Sequence, residues 1–156
     1  MKGAMKNIVP FLWFNNQAEE AVQFYCSIFP NSKSSLEKLV AGDVGPWKPG
    51  SVATVAFEID GQELIAFNGG PMHTFNDAIS LTVRCKDQAE IDCYWSALLE
   101  GGGSEIACGW LKDRFGLRWQ IVPANIGKLL SRPEAMQAMM SMKKLHIATL
   151  EAAGNQ

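Results

Sequence analysis

A chain of 156 residues, 47% hydrophobic and 19% charged, is long enough to bury one sizeable core and too apolar to stay disordered. Fourteen basic and sixteen acidic side chains leave a net charge of -2, with no basic run or stripe, which argues against nucleic acid as a partner. The lysine-bearing start MKGAMKNIV has no apolar stretch of signal-peptide length behind it, and no segment approaches a membrane span, so a cytoplasmic protein with no membrane partner is expected.

Asn7 to Phe14 reads as a strand. Asn16-Gln17-Ala18-Glu19 then has the form of a capping box, an Asx residue with Glu three positions on, and leads into Ala18, Ala21, Val22 and Tyr25 at helical spacing. Pro30 stops that helix. Strands are expected over Ser35 to Val40, Val52 to Ile59 and Glu63 to Phe67, the last two joined by Asp60-Gly61, a hairpin turn pair. Between the first two lies the Gly/Pro-rich loop Ala41 to Gly50 with Trp47 in it, an aromatic that either closes over a binding site or packs back on its own surface.

The chain then repeats the pattern. A strand over Ala78 to Arg84 precedes Asp87-Gln88-Ala89-Glu90, which opens a second helix carrying Ile91, Tyr94, Trp95 and Leu98 on one face, and Gly101 to Gly103 end it. Ser104 to Leu111 and Leu117 to Val122 follow as strands. The order strand, helix, about three strands, written twice, is most economically an internal duplication. The expected class is α+β, two tandem βαβββ modules over residues 7–70 and 76–124 forming a cup-shaped mixed sheet, with a helical segment over 125–153, all in one compact domain. In that last segment Met136, Met140, Ile147 and Leu150 fall on one helical face, and Met139, Met142 and Leu145 on a second beside it. Such a helix covers its own sheet or, being Met-rich, offers a dimer contact.

Strand alternation separates two faces. Val55, Phe57, Ile59, Ile65, Phe67, Ile79, Leu81, Val83, Leu117, Trp119 and Ile121 are the consistently large apolar set, expected under the helices. The opposite set, Phe11, Trp13, Leu64, Ala66, Asn68, Ala78, Ser80, Thr82, Arg118, Gln120 and Val122, mixes aromatic, small and polar residues, as the wall of a ligand site does. The candidate ligand-binding residues are Phe11, Trp13, Asn68, Ser80, Trp110, Arg118 and Gln120. Cys26, Cys85, Cys93 and Cys108 have neither CxxC nor Cys/His spacing and read as free structural thiols.

The doubled module, with N/D-x-A-E opening each helix and D-x-F-G-x-x-W-x-I-V closing the second, resembles the vicinal oxygen chelate superfamily, which includes glyoxalase I, extradiol dioxygenases and bleomycin-resistance proteins. PFLWFNNQAEEAVQFYCSIFPNS, VAFEIDGQELIAFNGGP and CGWLKDRFGLRWQIVPA together are similar to its PhnB-like branch, whose members often carry the name 3-demethylubiquinone-9 3-methyltransferase. The resemblance covers Ile8 to Leu150. It implies a metal held by His, Glu or Gln from four strands, and alignment on the helix openings puts Phe11, Leu64, Ala78 and Gln120 at those positions. A shift of one residue brings in only Glu63, whose alternation points it to the helix side. One Gln is not a divalent-metal site, so neither metal nor other cofactor is expected. His73, in the linker, and His146, in the terminal helical segment, do not complete a set. The Gly101-Gly102-Gly103 run follows a helix instead of a strand and gives no independent sign of S-adenosylmethionine binding.

Three functions stay open. The first is a metal-free protein binding a small aromatic or quinone-like molecule, in the manner that the resemblance to bleomycin-resistance proteins implies. The second is an enzyme on a small, aromatic or quinone-like substrate, using Asp113, Lys112 or Glu105 for proton transfer in place of metal, with a methyltransferase, as the branch name says, or metal-dependent lyase or dioxygenase chemistry as the forms that the resemblance implies. The third is a dimeric interaction module. A homodimer is the expectation from the resemblance.

Overall fold

The computed structural model describes residues 6–155, and the first five residues, where the lysine-bearing start begins, lie outside them. The chain falls into two compact units, Met1–Thr74 and Phe75–Gln156. The first contains β1 (Phe11–Phe14), α1 (Ala18–Ile28), β2 (Lys33–Leu39), β3 (Val52–Ile59) and β4 (Gln62–Asn68). Its sheet runs β1-β4-β3-β2, with β1 parallel to β4 and the other pairs antiparallel.

The register of this sheet is set at the Asp60-Gly61 turn. Both residues adopt positive φ, 47° and 75°, the backbone that a two-residue hairpin of matching twist requires and that glycine supplies without strain. The turn pairs Phe57 with Leu64 and Val55 with Ala66, so these four share one face. The helix α1 buries Ala18, Ala21, Val22 and Tyr25. Tyr25 stacks on Phe57 at 6.3 Å between centroids, which places the helix on that face. A fully buried side chain of the size of Val22 or Phe57 stabilises by about 1.5–3 kcal/mol.

The start of α1 departs from the expected capping box. Gln17 is the cap residue and makes no side-chain bond. Instead the Asn68 Oδ1, from the end of β4, accepts the Ala18 N–H at 2.8 Å. A residue from the neighbouring strand therefore satisfies the helix end that a local side chain usually satisfies.

The second unit contains β5 (Leu81–Cys85), α2 (Gln88–Leu99), β6 (Ser104–Glu105), β7 (Trp110–Lys112) and β8 (Arg118–Pro123), followed by α3 (Ile126–Leu129), α4 (Pro133–Met140) and α5 (Ile147–Gly154). Its sheet order, β5-β8-β7-β6 with β5 parallel to β8, repeats that of the first unit. Here the capping box does form, with Asp87 accepting the Glu90 N–H at 2.9 Å. The helix buries Ile91, Trp95 and Leu98, and Leu117, Trp119 and Ile121 of the closing strand segment are buried too. The class is thus α+β, built from two βαβββ modules and a helical segment.

Several expected bounds move. β1 and β5 begin at Phe11 and Leu81, several residues later than the sequence pattern suggests. The single strand expected over Ser104 to Leu111 is two short ones, because Cys108 and Gly109 adopt positive φ of 54° and 84° and turn the chain. Their N–H groups are taken by the carbonyls of Met142 and Lys143, both at 2.8 Å.

The C-terminal segment is three short helices, not one, and its inner face is the other Met stripe. Leu145 and Leu150 cluster with Val122, and Met139 and Met142 pack against them. Met136 and Met140 are exposed, the latter 65%. The break at Ser141 to His146 rotates the two helices out of a common 3.6-residue phase, which is why a single helical wheel misplaces them. Gln88 fastens the segment from α2: its Nε2 donates to the Leu145 carbonyl at 3.0 Å and its Oε1 accepts the Ile147 N–H at 2.8 Å. Lys144 pairs with Asp92 at 2.8 Å, and together with Gln88 holds that carboxyl below the usual range.

Candidate functional site

The face of the first sheet turned away from α1 is aromatic. In the β1/β4 pairing Phe11 stands beside Ile65 and Trp13 beside Phe67, while Leu12 and Phe14 stand beside Ala66 and Asn68 on the helix side. Phe11 is 56% exposed, and Trp13, Ile65 and Phe67 are half-buried. The assignment of Phe11 and Trp13 to the open face therefore matches the structure, but β4 is reversed. Leu64 and Ala66 are wholly buried under α1, and Ile65 and Phe67 take the open face. Both rows of β4 are apolar, so alternation alone had no preference, and the turn at Asp60-Gly61 decides.

Asn68 is corrected with them. It is 8% exposed, on the helix side, and its carboxamide is consumed by structure: beyond the Ala18 N–H, its Nδ2 donates to Glu19 Oε1 at 2.6 Å and to the Val52 carbonyl at 3.1 Å. Glu63 moves the other way, since its pairing with Glu58 puts it on the open face with Ile65 and Phe67.

Phe67 is the hub of the open face. Phe11 lies 5.3 Å from it, Trp13 meets it edge-on at 5.0 Å and 88°, and Trp47 of the β2–β3 loop reaches it at 6.4 Å. The other side of Trp13 carries His73, at 4.7 Å and 82°. Trp13 is held in place by its indole N–H, which donates to the Gly70 carbonyl at 2.9 Å, and by the bare backbone of Gly69, where an added Cβ would come within 2.2 Å of the ring. The Trp47 indole N–H donates to the Asn68 carbonyl at 2.8 Å. Sequence reasoning missed Phe67, Ile65 and His73 as members of this group, and the turn-set register was the signal for the first two.

In the second unit the face away from α2 is polar. The register puts Thr82 and Trp110 on either side of Gln120. Gln120 Nε2 donates to Ser80 Oγ at 2.9 Å, so two of the expected residues do meet. Trp110 is half-buried on the same face. Arg118 is more constrained than a ligand-seeking cation: its Nε pairs with Asp77 at 2.7 Å, and its Nη1 donates to the Gly116 and Phe75 carbonyls at 2.7 and 3.2 Å. It braces the segment leading into β5. Ile79, expected under the helix, precedes β5 and is 62% exposed, while Val122 is buried by the C-terminal cluster.

The proton-transfer candidates are mostly structural. Asp113 is buried and accepts the N–H groups of Phe115 and Leu117. Glu105 accepts the Trp95 indole N–H at 3.0 Å. Lys112 alone sits on the open face, paired across the ladder with Arg118. Gly103 takes the Leu99 carbonyl at 2.9 Å and has no room for a Cβ against Leu99 and Lys112, so the glycine run is a helix end packed on a strand. Cys26 and Cys85 are pushed up by burial, Cys85 to about 12 with help from Glu90 and Asp87.

The residues do not fit a divalent ion. Among the described residues no three His, Cys, Asp or Glu side chains gather where they could hold one. Of the four strand positions that resemblance assigns to ligands, Phe11 is an exposed ring, Leu64 is core, Ala78 has no donor, and Gln120 is bonded to Ser80. Among the described residues, no helix is long and apolar enough to cross a membrane.

Comparison with known proteins bears on the family and the fold. A family model described as 3-demethylubiquinone-9 3-methyltransferase matches residues 6–122. A solved structure from Bacillus cereus, named PhnB and 3-demethylubiquinone-9 3-methyltransferase, is 32% identical, with a TM-score of 0.66 over 75% of this chain and 99% of its own. The protein PA1353 of Pseudomonas aeruginosa is 22% identical, with a TM-score of 0.61 over 76% and 98%. The fosfomycin resistance protein FosX of Mesorhizobium loti, 11% identical, shares the fold at a TM-score of 0.57 over 85% and 100%. The chain matches none of the curated proteins it was compared with. The family match stops at Val122, so α3, α4 and α5 lie beyond it.

Proposed function

This chain belongs to the 3-demethylubiquinone-9 3-methyltransferase family, with the glyoxalase/bleomycin-resistance fold of the vicinal oxygen chelate superfamily, and we propose that it binds a small aromatic or quinone-like molecule without a metal. The observation that carries the reading is the open face of the first sheet, where Phe11, Trp13, Phe67 and Trp47 converge. Large aromatic rings left partly exposed, with Trp13 held by its bond to the Gly70 carbonyl and by its close approach to Gly69, are a wall that apolar rings bind with little ordering cost. The Ser80–Gln120 pair and Trp110 are the polar and aromatic groups that the second unit offers to the same kind of ligand.

Binding is favoured over methyl transfer because the glycine run supports a helix end, and over metal chemistry because the donor set is lacking. A homodimer is part of the proposal, with the exposed Met136 and Met140 as adaptable surface. The test is a ligand-observed NMR screen of aromatic and quinone fragments together with S-adenosylmethionine, on wild type and on Trp13→Ala and Phe67→Ala. Aromatic fragments that bind wild type and lose affinity in both variants support the reading. Saturation by S-adenosylmethionine, or fragment binding indifferent to both substitutions, overturns it. Light scattering at micromolar concentration decides the dimer.

A further inference from the structure

Trp47 is carried differently from the other rings of the aromatic face. Residues 41–50 are all exposed except Trp47, which is half-buried. The loop is closed at its neck by the Val40 N–H to the Ser51 carbonyl at 2.8 Å and the Gly50 N–H to the Val40 carbonyl at 2.9 Å. Gly42 and Gly50 bracket it with φ of +82° and +81°, and neither has a neighbouring atom within 4 Å of where a Cβ would stand. These are positions where the backbone turns without side-chain hindrance. At the tip, Val44 bridges to Trp47, and the indole ring packs over Gly45.

The spacing of the rings is informative. Trp13 touches Phe67 edge-on at 5.0 Å, which leaves no gap between them. Trp47 stands 6.4 Å from Phe67, tilted by 42°. Carbon atoms pack at about 3.5–4.0 Å, so a flat ring held between two others needs about 7 Å between the outer pair. At 6.4 Å and 42° the two rings are in ordinary tilted contact, so a ligand enters only when the loop between the two unhindered glycines swings Trp47 outward and turns its plane parallel to that of Phe67. The indole N–H is bonded to the carbonyl of Asn68, the residue after Phe67, at 2.8 Å, so a movement that pivots about this bond leaves no donor stranded.

We propose that Trp47 is the mobile wall of the binding face and that its ligand is a planar, unsaturated ring system that inserts between Trp47 and Phe67. This rests on the ligand-binding reading above and narrows it. A puckered saturated ring is thicker than a flat one and needs a wider opening of the two rings.

The experiment uses the whole chain labelled with 5-fluorotryptophan, which gives five fluorine signals. The Trp47 signal is assigned from Trp47→Phe. The probes are 2-naphthol and decahydro-2-naphthol, which share a skeleton and a hydroxyl but differ in planarity. The expected result is that 2-naphthol moves the Trp47 signal, that Trp47→Ala weakens its binding at least tenfold while Trp47→Phe keeps it, and that the saturated probe leaves the signal in place. Binding of 2-naphthol that depends on Trp13 but is unchanged in Trp47→Ala overturns this inference and leaves the binding face intact. Equal response to both probes overturns the planar-ligand assignment. No binding of 2-naphthol by the wild type overturns the reading beneath it as well.

Discussion

The carboxylate of Asp113 holds the indole of Trp119 from across the loop that precedes the last strand. Its Oδ2 accepts the Trp119 Nε1–H at 2.9 Å, while its Oδ1 accepts the N–H groups of Phe115 and Leu117 at 2.9 and 3.0 Å. Asp113 is 1% exposed, and its bonds to the Leu117 N–H and the Trp119 indole are buried, so those two donors have no water to fall back on. The D-x-F-G-x-x-W stretch is thus a device for seating Trp119 in the core, and the chemistry of its acid is spent on that.

Asp113→Ala is expected to destabilise the protein by about 3 kcal/mol or more, since it strands buried donors that a charged acceptor had satisfied. Urea unfolding followed by circular dichroism measures this. A cost under about 1 kcal/mol would show that the loop rearranges freely and that Asp113 is available for other work.

Asn68 and Gln120 both suit a ligand contact by residue type and alternation, and the structure separates them. Asn68→Ala removes the acceptor for the Ala18 N–H and the donors to Glu19 and Val52, and is expected to cost about 2 kcal/mol. Gln120→Ala loses one half-exposed bond to Ser80 and is expected to change stability by less than about 1 kcal/mol. Thermal unfolding of the two variants gives the comparison, and the reverse ranking would invert the face assignment.

The fold was legible because its signals are local. The Asp87-to-Glu90 cap, the Asp60-Gly61 turn and the helix stops at Pro30 and Gly101 each act within a few residues, and each stands where the pattern puts it. The candidate site was less legible because it depends on parity. On β4, where Leu64 and Ile65 are equally fit for a core, one residue of register exchanges Asn68 for Phe67 on the open face. The first helix cap failed for a related reason: Asn16 has the right type and spacing, but Asn68 arrives from fifty residues away and occupies the bond. The C-terminal break between Ser141 and His146 has no glycine or proline to mark it. It follows from long-range bonds to Gln88, Cys108 and Gly109.

Cys85 gives a pH dependence with a definite sign. Its thiol is buried and pushed up to about 12, with desolvation the main cause and Glu90 and Asp87 adding to it. The unfolded chain releases this proton above about pH 8.5, and the folded chain keeps it. The unfolded state therefore binds fewer protons in that window, and stability falls as pH rises from about 8.5 to 12. Urea midpoints measured at pH 8 and pH 10 are expected to show the decline, and Cys85→Ala should remove the part due to this thiol. An identical decline in the variant would assign it to other groups.

Gly69→Ala tests how Trp13 is seated. Gly69 has no positive φ, so an alanine is acceptable to its backbone, and the cost comes only from the ring lying 2.2 Å from where the new methyl would stand. Either the indole is displaced, breaking its bond to the Gly70 carbonyl and its edge contact with Phe67, or the strand end shifts. Overpacking of this kind costs about 1–3 kcal/mol. The variant is expected to unfold at lower urea, to shift the Trp13 fluorine signal, and to lose affinity for aromatic fragments by about the same factor as Trp13→Ala. If it keeps wild-type affinity although Trp13→Ala does not, then the ring finds a second seat on the open face, and the binding wall is more plastic than the close approach to Gly69 implies.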